Sequence, residues 1–139
     1  MQSSAELIDN DSAYARMLRQ QNGSEPATEE DDLGAFGWLR GQKERAVMLE
    51  LRKRSGNIIG RGYAWLEGAE FDPSAGITLY FLGKTVKITG SNLNAEVRPN
   101  VRLFNGILRH RVSWIQETDQ ATAMRAAKDA IVIERIEVK

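Results

Sequence analysis

Residues 76–90, Gly-Ile-Thr-Leu-Tyr-Phe-Leu-Gly-Lys-Thr-Val-Lys-Ile-Thr-Gly, alternate apolar and polar side chains on both sides of Gly83-Lys84. No other stretch of the chain restricts the fold as tightly. A two-residue loop with Gly first suits a type II′ turn, because Gly takes positive φ without steric cost. That loop sets Leu82 opposite Thr85, Phe81 opposite Val86 and Leu79 opposite Ile88. One face then carries Ile77, Leu79, Phe81, Val86 and Ile88. The other carries Thr78, Tyr80, Thr85, Lys87 and Thr89, with Leu82 as its one apolar member. Two strands agree on one buried face, and a slip by one residue would invert both. Tyr80 and Lys87 face each other on the outer side, either as a cross-strand pair or as a stacking and cation–π site for a ligand.

Upstream, Arg45–Arg52 alternates, with Val47, Leu49 and Leu51 inward and Met48, Glu50 and Arg52 outward, the period of a strand. Ser55-Gly56-Asn57 is turn chemistry. A second strand is expected from Ile58 to about Glu67. Ile59, Arg61, Tyr63 and Trp65 lie on one of its faces, while the other holds the small residues Gly60, Gly62 and Ala64. Glycines inside a strand mark a bend, a bulge or a close approach, as at a barrel corner. Asp72-Pro-Ser-Ala-Gly76 turns into the alternating stretch.

Downstream, Ser91–Asn100 is polar and is expected to be loop. Val101, Phe104, Leu108, Val112 and Ile115 have helical spacing, whereas Asn105-Gly106 is a hairpin signal. The spacing favours a helix over Pro99–His110. Val112–Glu117 is a strand, Asp119 caps an Ala-rich helix, and Ile131–Val138 is a closing strand with a bulge between Ile133 and Ile136. The fold class is α+β: a strongly bent antiparallel sheet or small open β-barrel, with one or two helices in the C-terminal third.

Charge is unevenly shared. The net charge is zero, yet residues 1–35 hold eight acids and two bases, a balance of −6, and residues 36–139 hold the compensating +6. The run Asn22–Asp32 is acidic, with no apolar side chain larger than Ala, and composition predicts disorder for it. Ala13, Tyr14, Met17 and Leu18 have the spacing of a short helix. We therefore expect an acidic tail over 1–35 and one α+β domain over 36–139. The absence of Cys excludes disulfides and thiolate metal sites and suits a reducing compartment. The N-terminus has neither the basic region nor the apolar core of a signal peptide. A cytoplasmic protein is expected.

No motif assigns a reaction. His110, the single histidine, lies between Arg109 and Arg111, without a nucleophile or carboxylate near it in sequence. It fits an anion patch better than a catalytic base. One His and scattered carboxylates do not form a metal site. Gly60-Arg-Gly62 lacks the third glycine of a dinucleotide site, so no cofactor is expected. Val86–Leu93 resembles the second motif of Sm-like RNA-binding barrels, in which an aliphatic pair precedes Arg-Gly. The resemblance covers eight residues. Thr89 stands where that family has Arg, and no Asp-x-x-Asn first motif occurs near Glu67–Phe71, so no RNA-contacting residue is carried over.

The bases are the strongest functional material: Phe36–Trp114 holds 13 bases and 6 acids. Arg52, Arg54, Arg61, Lys87, Arg98, Arg102, Arg109, His110 and Arg111, with Tyr80, are the candidate binding residues. Bases interleaved with exposed aromatics are how small β-domains hold single-stranded nucleic acid, and Tyr63 and Trp65 are either further platforms or core. The expected function is a non-enzymatic binding module with a basic face for an anionic partner such as nucleic acid. The alternative is a protein–protein adaptor or oligomerising domain that pairs through the edge strand Ile131–Val138.

Overall fold

The computed structural model describes residues 29–139. In chain order its strands are β1 (Glu30–Asp32), β2 (Phe36–Leu39), β3 (Met48–Arg52), β4 (Ile58–Gly62), β5 (Leu66–Asp72), β6 (Gly76–Phe81), β7 (Lys84–Ser91), β8 (Glu96–Arg98), β9 (Val101–Arg102), β10 (Val112–Gln116) and β11 (Val132–Val138). A 3-10 turn spans Tyr63–Trp65, and the helices α1 (Leu103–Leu108) and α2 (Gln120–Arg125) flank β10. Sheet A has the order β1-β2-β10-β3-β4, sheet B the order β11-β7-β6-β5, and β8 and β9 form a small ribbon. The described residues fall into two units, Glu30–Leu39 with Lys43–Lys139, and Glu29 with Arg40–Gln42. In the latter, the described Arg40 and Glu29 are joined by a 2.8 Å ion pair. The Tyr14–Leu18 spacing and the tail up to Thr28 lie outside the described residues.

The alternating stretch buries the expected face: Ile77, Leu79, Phe81, Val86 and Ile88 are all buried. Its register is corrected. Phe81 pairs with Lys84, Tyr80 with Thr85, Leu79 with Val86 and Ile77 with Ile88. The loop is therefore Leu82-Gly83, and the positive φ of 82° falls at its second residue. The shift is by two positions, which preserves both faces. It separates Tyr80 from Lys87, whose partner across the strands is Thr78.

Sheet A and sheet B bury one shared core. Phe36, Leu49, Leu51 and Ile115 of the first meet Ile77, Leu79, Ile88 and Ile136 of the second in one buried cluster. The fold is mostly β with two short helices, as expected, but its strands form two open sheets in place of one bent sheet, and they do not close into a barrel. Nor is the arrangement wholly antiparallel, since β10 runs parallel to β3. The expected strand from Ile58 to Glu67 stops at Gly62, and the 3-10 turn carries the chain from one sheet to the other. Tyr63 is buried there and donates its hydroxyl to Val112 O at 2.7 Å, while Trp65 is exposed. Val47 precedes β3 and is exposed rather than inward. Glu30–Asp32, assigned to the tail by composition, pairs with β2 as a strand, and Ala35 is core.

The Pro99–His110 helix is also corrected. Pro99-Asn100 is the turn between β8 and β9, with Asn100 at φ 65°, and the helix begins only at Leu103. Gly106 lies inside it for lack of space: a Cβ there would stand 2.6 Å from both Trp38 Cζ3 and Val112 Cγ2. The helix ends in a Schellman arrangement, with Arg111 N donating to Gly106 O and His110 N to Ile107 O. His110 takes the left-handed position, φ 58°. Asp119 caps α2 through a 2.7 Å bond from Thr122 N, and β11 carries its bulge between Ile133 and Arg135.

Candidate functional site

The candidate basic residues do not all lie on one face. In the β3–β4 register Arg52 is opposite Ile58 and Arg61 opposite the buried Leu49. Side chains alternate along a strand, so these two arginines leave sheet A on opposite faces. Arg52 stacks over the Trp114 ring at 4.4 Å and donates to Glu50 at 3.1 Å. Arg54 Nε and Nη2 donate to Thr118 O and Glu134 O. Arg98 pairs with Asp31, and Arg102 with Glu96 at 3.8 Å. Lys87 reaches Thr78 Oγ1 at 3.5 Å, and Tyr80 donates to Glu70 at 3.2 Å, a bond that raises the phenol's pKa.

Arg109, His110 and Arg111 surround the end of α1. The Arg111 guanidinium lies 5.6 Å from the Trp38 ring centre, and the His110 ring stacks on Tyr63 at 4.3 Å. His110 thus closes a helix and packs on an aromatic. Most of these cations already have a carboxylate, a carbonyl or a ring as partner, near in sequence for Arg52 and Arg102 and distant for Arg54 and Arg98. Among the described residues no group of His, Cys, Asp and Glu is placed to hold a metal ion. No helix among them is long and apolar enough to cross a membrane.

The proposed edge at Ile131–Val138 is not open. One side of β11 pairs with β7. On the other, Glu117 Oε2 accepts from Ile136 N at 2.8 Å, Thr118 Oγ1 accepts from Ile133 N at 2.9 Å, and Lys53 Nζ donates to Ile136 O at 3.0 Å. Glu117 also accepts from Arg54 N at 2.8 Å and so ties the two sheets together. Burial pushes its pKa up. The two backbone donors, with the charges of Lys53 and Arg54, outweigh burial and hold the carboxyl below the usual range.

An edge without a capping side chain among the described residues is β4, which ends sheet A opposite β1 and has a neighbour on one side only. Its outer face is built on glycine. A Cβ at Gly60 would lie 3.2 Å from Met48 Cε, and one at Gly62 would lie 3.1 Å from Trp65 Cδ1. Met48 and Trp65 therefore lie flat across the strand. Met48 is 49% exposed, Ile58 60% and Trp65 58%, with Leu82 bonded through its N–H to Trp65 O and also exposed. On the inner face, Arg61 Nε is buried and has no acceptor among the described residues. Alternation placed Met48 outward and Trp65 was one of two candidate platforms, but nothing in the spacing grouped them with Ile58 and Leu82 at one edge. The available signals were the small face at Gly60 and Gly62 and the misplaced Leu82. No protein-family model, curated protein or solved structure matches the chain.

Proposed function

We propose that the domain is a non-enzymatic docking module that takes an extended segment of a protein partner as an added strand along β4. The observation that carries it is the open β4 edge framed by half-exposed Met48, Ile58 and Trp65. Apolar side chains grouped in this way on a soluble surface mark interaction sites, and an unpaired edge supplies the backbone partners. The partner segment is defined by alternation. Residues on its outer side are apolar and cover Met48 and Trp65. A residue on its inner side is Asp or Glu, since a carboxylate gives Arg61 Nε the acceptor it lacks.

A second copy of this chain fits the edge less well. Arg61 is the one charged residue of β4, so self-pairing brings two guanidinium groups to one face with no acid between them. An anionic polymer has less to bind, because Arg52, Arg98 and Arg102 are already paired with carboxylates.

The test is a fluorescence titration. Trp38 and Trp114 are buried, so Trp65 dominates any solvent-dependent shift. The probe is a blocked peptide with Val at every second position and Thr between, one Thr replaced by Asp. Emission should move to the blue, and Arg61→Ala should weaken the Asp peptide while leaving a counterpart with Ala at that position unchanged. Equal binding by a proline-containing control would overturn the proposal. So would concentration-dependent dimerisation that the peptide does not reverse, or salt-dependent binding of a single-stranded oligonucleotide in place of the peptide.

A further inference from the structure

We propose that the cavity at the end of sheet B binds a small organic cation, an ammonium or guanidinium group on an apolar body. The cavity has a volume of about 490 Å³, within the range of roughly 300–1,000 Å³ usual for small-molecule sites. It opens between the β5–β6 turn, β7 and the loop that follows β7. Phe71, Pro73 and Leu93 supply its apolar wall, and Thr89, Asn94 and Glu134 its polar side. Its lining contains one carboxylate and no base.

Two residues that line this cavity carry an acceptor with no donor among the described residues. Asn94 Oδ1 is buried and unbonded among the described residues. Glu134 gives its backbone carbonyl to Arg54, but its exposed carboxylate meets no described cation. A buried acceptor without a donor is a standing cost that a ligand N–H removes on binding. A carboxylate on a residue of the same lining favours a charged donor over a neutral one.

The loop is fixed before any ligand arrives. Asn92 holds φ 56° and donates its amide to Lys128 O at 3.0 Å and Ala130 O at 2.9 Å. Arg102 Nη1 donates to Asn94 O at 3.0 Å from the other side. Acceptors held in place in this way lose little freedom on binding, which strengthens the complex. None of these residues belongs to the β4 edge.

Three probes of one shape and different charge test the site: phenethylammonium, phenethyl alcohol and hydrocinnamate, each titrated while the side-chain amide of Asn94 is followed by NMR. The ammonium should bind about tenfold more tightly than the alcohol, the scale of one charge-assisted hydrogen bond. Hydrocinnamate should bind most weakly. Glu134→Gln, at an exposed position, should erase the preference for the ammonium and leave the thermal midpoint unchanged. Asn94→Ala should weaken ammonium and alcohol alike. Equal affinities for all three probes would overturn the proposal, as would an Asn94 amide that responds to none of them, the behaviour of a water-filled cleft. The β4 peptide titration is unaffected by either variant, so failure here is separable from failure of the docking proposal.

Discussion

At the scale of single residues, Glu117 and the packed glycines matter most. Glu117→Gln keeps one carbonyl acceptor for two backbone donors, so one of Arg54 N and Ile136 N loses its partner. We expect a loss of about 1–3 kcal/mol in denaturant unfolding. The pH dependence has a definite sign. The folded carboxyl is held below its unfolded pKa, so the unfolded chain binds the proton more tightly. The contribution of Glu117 is fully present above the usual carboxylate pKa and is lost as pH falls through the lowered folded value. An acid titration of stability should show this loss in the wild type and not in Glu117→Gln. Gly106→Ala gains helix propensity of about 1 kcal/mol. It also forces a methyl against Trp38 and Val112, an overpacking that costs about 1–3 kcal/mol. A lower thermal midpoint is expected, and a higher one would show that Trp38 yields easily.

At the scale of elements, the hairpin of β6 and β7 separates what burial dictates from what turn chemistry dictates. Phe81→Ala should cost about 3–5 kcal/mol, since the ring is buried. Lys87→Ala should cost under about 1 kcal/mol, because its contact is one long bond to Thr78. Equilibrium unfolding of both variants checks the face assignment. That assignment was legible because alternation survives any even shift in register. The loop was not, because Gly83 serves as first or second turn residue equally well by composition. Pro99-Asn100-Val101 was read as a helix start because Val101, Phe104 and Leu108 have helical spacing. The competing signal, Asn100 in a left-handed turn, needs β8 to be seen as a strand, and Glu96-Val-Arg98 is too short and too exposed to announce itself. Asp119 and the β11 bulge were legible because a cap and a phase change are local events.

At the scale of the whole molecule, the sequence reading offered six strands, whereas the described residues form eleven, most of them in two sheets whose grouping the sequence did not give away. The glycines at 60 and 62 were read as a bend, a bulge or a close approach at a curved sheet or barrel corner, and a close approach is what occurs. What approaches is Met48 and Trp65 across an outer face, not a strand at a barrel corner. The break at Tyr63 decides between one sheet and two, and it depends on Tyr63 reaching Val112 across 49 residues of sequence. The candidate site was poorly legible for a related reason. Basic side chains stand out in sequence whether or not they are neutralised, and here their acceptors come from Glu50, Glu96 and Asp31. An open edge is invisible until strand order is known, and strand order is the least local property of a sheet. Strand order also moves the edge available for pairing, since β11 is capped by side chains and no side chain caps β4 among the described residues.

Amide hydrogen exchange on the full chain, with and without the alternating Val peptide that carries one Asp, tests the docking of a strand on β4 most directly. Paired amides exchange more slowly because their N–H groups are no longer free to water. The account predicts that the peptide slows exchange within Ile58–Gly62 and leaves β11 unchanged, its edge being already occupied. Protection confined to Val132–Val138, or an exchange pattern in which β4 is the same with and without peptide, would contradict it.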